Sequence, residues 1–150
     1  MRMRSVETYS LIEKTLPTIP VPHDCVIREI SLEDGWLVLS FEEGLARRDA
    51  VRCIHPEADT LRMRIHLTEE PALYAYERRR YECVYVQRKP RKLLELARRE
   101  APLEYLGHFV AYGAMRIELF QETGDLAVEL CADQVVLEWL SEDENSRKRR

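Results

Sequence analysis

Residues 22–41 read PHDCVIREISLEDGWLVLSF, two apolar, β-branched runs separated by Glu33-Asp34-Gly35. Asp-Gly between such runs is a strong short-range hairpin signal. The tight turn that matches strand twist needs positive φ at both central residues, which Asp and Gly tolerate. The second arm alternates cleanly, with Leu37, Leu39 and Phe41 on one side and Trp36, Val38 and Ser40 on the other. The first arm alternates less regularly: Val26, Ile30 and Leu32 share a face, with Arg28 between them. A chain built around this hairpin is expected to be β-rich.

Working outward, the pattern repeats. Ala50 to His55 and Leu61 to Thr68 are expected to form a second hairpin around Pro56-Glu57-Ala58-Asp59. In its second arm Leu61, Met63, Ile65 and Leu67 line one face, while Arg62, Arg64, His66 and Thr68 line the other, exposed one. Leu73 to Gln87 reads as a long strand that a bulge or loop interrupts near Arg78-Arg79-Arg80. Pro90 suits the first turn of a helix. Leu93, Leu94, Ala97 and Ala101 then form an apolar stripe at helical spacing, which Pro102 stops. Gly107 to Gln121 returns to strand, with Phe109, Ala111, Met115, Ile117 and Leu119 on one face. Turns at Thr123-Gly124-Asp125 and Ala132-Asp133-Gln134 complete a meander ending in Val135–Leu140, with Leu126, Val128 and Leu130 inward. Residues 1–22 allow either a helix or a strand, followed by a connector that Pro17, Pro20 and Pro22 force to be extended. The expected fold is β-dominated α+β, with about seven or eight antiparallel strands in a curved sheet or sandwich and one helix near 90–101.

The 150 residues suit one domain over 1–140, followed by a polar tail at 141–150. With 45% apolar and 33% charged residues and a net charge of −4, the composition is globular. The opening residues carry arginines but no continuous apolar core of a leader, and no run approaches the length of a membrane span, so the expectation is a cytoplasmic protein. Cys25, Cys53, Cys83 and Cys131 are then expected as reduced thiols, and no CxxC occurs.

Three constellations carry potential chemistry. His23-x-Cys25 and Cys53-x-His55 are mirror-image pairs. In strands each pair would present two soft ligands on one face, and two such strands side by side would form a Cys2His2 set for zinc, the alternative to an expectation of no cofactor. Against this, cysteine is an ordinary small core residue. A Cys25 nucleophile needs a base from elsewhere, His55, His66 or His108, because strand neighbours point to opposite faces. No P-loop, nucleophile elbow or HExxH is present. The third constellation is basic and aromatic. Residues 78 to 99 hold nine Lys or Arg against two Glu, a net +7 that leaves −11 on the remainder. Tyr74, Tyr76, Tyr81 and Tyr85 lie in or beside this segment. Tyr74, Tyr76, Arg78, Arg80, Tyr85 and Arg88 are the candidate binding residues. Stacking aromatics with cations suit single-stranded nucleic acid, yet the acidic remainder disfavours a polyanion, and an acidic protein partner matches the same patch.

The stretch from His23-Asp24-Cys25 through the Asp-Gly turn to Phe41 resembles small uncharacterised bacterial β-rich proteins whose hairpin opens with an HDC or HDS segment, some of them immunity-protein-like. The likeness covers residues 22–42 and, more loosely, the closing meander at 114–140. It implies a non-enzymatic binding protein and carries no catalytic residues. The leading expectation is therefore a non-catalytic cytoplasmic interaction protein with a protein partner, or a homodimer formed by edge strands near 50–68 or 134–140. The alternatives are a small enzyme or ligand-binding barrel with a pocket lined by His23, Cys25 and His55, and single-stranded nucleic-acid binding through residues 74–99.

Overall fold

The computed structural model describes residues 3–122 and 124–141. The chain runs β1 (Met3–Ser10), β2 (Cys25–Glu33), β3 (Trp36–Phe41), a 3-10 turn at Leu45–Arg47, α1 (Asp49–Arg52), β4 (Thr60–Leu67), β5 (Ala72–Arg78) and β6 (Cys83–Arg88). It continues through α2 (Lys92–Leu96), β7 (Leu103–Ala111), β8 (Ala114–Gln121) and β9 (Gly124–Ser141). Among the described residues the fold is β-dominated, with nine antiparallel strands in one sheet and two short helices. Among the described residues no helix is long and apolar enough to cross a membrane. The tail expected at 141–150 lies outside the described residues except for Ser141, which closes β9.

The β2–β3 hairpin forms as its sequence demands. Asp34 and Gly35 both have positive φ, 51° and 81°, and Glu33 pairs with Trp36 across the turn. From there the pairings run β2–β3–β4–β9–β8–β7 and return to β2, a closed circuit of antiparallel neighbours. β9 makes closure possible because it is long enough to serve twice. Its first half lies between β8 and β5, and its second half between β4 and β1. The inward faces fill the enclosed space with Leu37, Leu39, Met63, Ile65, Val135 and Leu137, each at most 2% exposed. Burying each such side chain contributes about 1.5–3 kcal/mol of transfer free energy.

Three single-residue irregularities reset the alternation. In β2 the register shifts between Ile27 and Glu29, so Ile27 and Ile30 enter the core instead of Val26, while Leu32 stays 41% exposed at the hairpin end. In β7 the shift between Tyr105 and Gly107 turns Phe109 outward, 64% exposed, whereas the alternation alone placed it with the core residues Met115, Ile117 and Leu119. In β9 the extra residue Asp133 switches the inward set from Val128, Leu130 and Ala132 to Val135, Leu137 and Trp139. The turn expected at 132–134 is thus a bulge inside one continuous strand.

Other expectations change as well. Residues 1–22 contribute a strand, β1, and a connector that buries Leu11 and Ile19. The segment 50–55 is helical and turned, so β4 pairs with β3 and β9 instead of with a strand at 50–55. Residues 73–87 form the β5–β6 hairpin, with the bond from Arg79 N–H to Glu82 C=O closing its tip. The helix near 90–101 shortens to α2, which buries Leu93 and Leu96. The side-chain amide of Gln121 ends it by donating to the Leu96 and Ala101 carbonyls, at 2.8 and 3.0 Å. The edges proposed for dimerisation are not free: β4 and the second half of β9 are each paired on both sides.

Candidate binding face

Residues opposite each other in an antiparallel sheet share a face. On the outer side of β7–β8–β9–β5, Phe109 is followed in register by Arg116, Glu129 and Ala72. The neighbouring rows on β5 and β6 put Tyr74 opposite Gln87 and Tyr76 opposite Tyr85. Tyr76 and Tyr85 meet as a tilted pair, ring centres 5.0 Å apart, and Arg116 stands 5.6 Å from the Tyr85 ring centre. A shallow groove of about 400 Å³ between Glu69, Phe109, Ala111, Met115 and Cys131 continues this surface. A hydrogen bond with Cys83 is the main cause of a raised Tyr76 hydroxyl pKa, and one with Glu69 does the same to the Cys131 thiol. Large exposed aromatics gathered beside an apolar groove are the usual mark of an interaction site.

Four of the candidate binding residues, Tyr74, Tyr76, Arg78 and Tyr85, alternate onto this one face. Arg88 opposes Leu73 on the reverse face, where it is paired with Glu77. Arg80 belongs to the hairpin tip and lies 5.3 Å from the Tyr81 ring centre. The basic segment is therefore divided. Arg88, Lys92 and Arg99 line a cleft of about 420 Å³ on the reverse side, together with Glu77 and Asp125. Arg116, on the aromatic side, is engaged by Glu129 at 3.0 Å and Glu118 at 3.6 Å. Stacked bases need cations on their own side of the sheet to meet the phosphates, and here most cations are elsewhere.

The outer surface across β1, β9, β4 and β3 is different. Glu138, 7% exposed, accepts from Arg64 at 3.2 Å with Arg4 at 4.0 Å, Arg64 covers the Trp36 ring at 4.6 Å, and His66 bonds Asp133 at 2.8 Å. His66 points outward as expected. Arg64, Glu138, His66 and Asp133 thus satisfy one another on this surface, while Val6 and Arg62 stay exposed.

The residues proposed as zinc ligands do not assemble. His23 precedes β2, and its Nδ1 lies 2.6 Å from the Leu106 carbonyl. Cys25 is fully buried, with its thiol directed at the His23 carbonyl at 3.7 Å. Cys53 is exposed at the end of α1. His55 stacks on Trp139 and bonds Glu7. The reason is topological: β2 pairs with β3 and β7, and residues 53–55 are not in a strand. Among the described residues no three His, Cys, Asp or Glu side chains converge as a metal requires. Nor does Cys25 read as a nucleophile, since burial and then Glu42 push its thiol up to about 11.

Three internal polar clusters carried no sequence signal. Glu7 accepts from His55 Nε2 at 3.1 Å, from the Trp139 indole, and from the Tyr9 hydroxyl at 3.0 Å. Burial and this bond raise the Tyr9 hydroxyl to about 12. Glu42, 5% exposed, accepts from Arg48 Nε at 2.8 Å beside Cys25. The fully buried Tyr105 donates to His108 Nδ1 at 2.5 Å, and His108 Nε2–H donates to the Ile19 carbonyl at 3.0 Å. The Ile19 carbonyl can only accept, so this chain holds a neutral imidazole with its proton on Nε2. Each cluster ties a connector or an outer strand to the sheet.

His108 gives these clusters a pH dependence. Burial pushes its pKa below the usual 6.5, with the Ile19 bond opposing in part. Unfolded His108 takes up its proton as pH falls through 6.5, before the folded form does, so its contribution is complete above 6.5 and declines below it. From pH about 7.5 to about 5.5, wild type is expected to lose more thermal stability than His108→Gln. Parallel melting curves across that range would contradict the assignment.

No family model matches the chain, and no curated protein and no solved structure matches it.

Proposed function

We propose that this is a non-catalytic, cytoplasmic binding protein of the immunity type, engaging a protein partner through the aromatic outer face of β5, β6, β7 and β8. One observation carries the reading: Phe109, Tyr85 and Tyr76, 64%, 50% and 36% exposed, lie on one side of the sheet beside an apolar groove. The filled interior supports it too, because Trp139, Tyr105 and Met63 occupy positions where a ligand-binding barrel would keep space. The division of the basic segment between two faces favours a protein over a nucleic acid.

The test is affinity capture from native lysate under nuclease treatment, followed by titration of the captured partner. Tyr85→Ala with Phe109→Ala, both at exposed positions, is expected to leave the melting temperature nearly unchanged and to weaken binding about tenfold or more. Undiminished binding by this variant would remove the face from consideration, and capture that disappears with nuclease would favour the nucleic-acid alternative.

A further inference from the structure

β6 is an open edge. Among the described residues it pairs only with β5. The closing bond from Arg79 N–H to Glu82 C=O makes residues 79 and 82 a hydrogen-bonded pair. By antiparallel alternation the N–H and C=O groups of Val84, Val86 and Arg88 then point at β5, and those of Cys83, Tyr85 and Gln87 point away from it. An edge left in this state is a template for another strand.

We propose that an extended, acidic segment of a partner protein adds to the sheet along β6. The proposal rests on the binding reading above and specifies its partner. Charge selects the occupant. The open strand runs from Arg78, Arg79 and Arg80 at the hairpin tip to Lys89 and Arg91 beyond its other end, within the segment of net +7; Arg79 and Arg88 share the single carboxylate of Glu77. Acidic residues at both ends of an added strand meet these cations. A second copy of this chain is the poorer occupant, because it brings two such segments together. Backbone bonds to Cys83, Tyr85 and Gln87 supply affinity without regard to sequence. Side chains at alternate positions of the added strand pack beside Tyr85 and Tyr76 on the face already described, which supplies selectivity.

The test is selection of displayed random peptides against the purified protein, followed by amide NMR with the best synthetic peptide. The expected peptide is rich in Asp and Glu, shifts and protects the amides of Cys83, Tyr85 and Gln87, and binds less tightly as salt rises. Gln87→Pro removes an outward N–H while leaving the bonds to β5 and the Tyr85 ring, and is expected to weaken binding about tenfold or more. Arg78→Glu with Arg80→Glu, a second variant that keeps the β6 backbone, is expected to weaken the acidic peptide and spare an uncharged one. Selection of neutral or basic peptides, amide shifts away from β6, or self-association that protects the same three amides would each overturn the proposal. If Tyr85→Ala with Phe109→Ala abolishes partner capture while Gln87→Pro leaves it intact, the edge proposal fails and the aromatic face stands.

Discussion

Glu7→Ala is expected to destabilise the protein by about 2–4 kcal/mol, although Glu7 itself is partly exposed. Its carboxylate is the acceptor for the indole N–H of Trp139, a side chain only 1% exposed. Removing it leaves that N–H buried without a partner, a cost of about 1–3 kcal/mol. His55 and Tyr9 lose their bonds too, but both reach water and recover part of the loss. His55 also loses the anchor that holds its ring stacked on Trp139, 4.3 Å between centres and 29° between planes. The melting temperature is expected to drop by something on the order of 10 °C. Glu7→Gln keeps an oxygen for Trp139 and should cost roughly half as much. A Glu7→Ala variant within about 0.5 kcal/mol of wild type by urea denaturation would show that the cluster does not hold β1 in place.

The second large effect concerns an asymmetric ion pair. The Glu42 side chain is 6% exposed, whereas its partner Arg48 is 41% exposed. Arg48→Met strands a buried carboxylate, and Glu42→Gln merely frees a guanidinium that already reaches solvent. Breaking a wholly buried pair costs about 3–5 kcal/mol; with Arg48 half in water, about 2–3 is expected for Arg48→Met and about 0.5–1 for Glu42→Gln. Chemical denaturation of both variants decides it. An equal or greater cost for Glu42→Gln would mean that Arg48 does not compensate the buried charge.

Much of this architecture was legible where a local rule acts alone. Asp34-Gly35 set a turn because few other residue pairs accept both dihedrals. The inward row of Leu61, Met63, Ile65 and Leu67 followed from strict alternation in β4, which carries its single irregularity only at its last residue. Legibility failed wherever a strand takes in one extra residue. Alternation carries no mark of a bulge, so Val26 was exchanged for Ile27, Phe109 was assigned to the core, and Asp133 was read as a turn. The aromatic face was hidden by the same cause, since Phe109 reaches the surface only because of the β7 irregularity. Tyr74, Tyr76, Arg78 and Tyr85 stood out by their basic and aromatic composition, and they share one face because they alternate on a regular hairpin. Glu7 with Trp139 and Glu42 with Arg48 could not be paired from sequence, as their partnerships depend on how β1 and the 42–48 connection cross the sheet.

The doubled role of β9 has a kinetic consequence. This strand comes after all the others in the chain, yet β1, β4, β5 and β8 all take their register from it. Met3 finds its place only against Ser141, and Ser10 only against Gln134. The strands β2–β3–β4 and β7–β8 can join early through the β2–β7 pairing, but β1 and the β5–β6 hairpin cannot be locked to them until this late segment arrives. Loop closure over such separations is slow, and folding dominated by it belongs on the millisecond-to-second scale, roughly. During that interval half-assembled hairpins with open edges persist, which makes the period before β9 docks the one in which this chain is most exposed to aggregation.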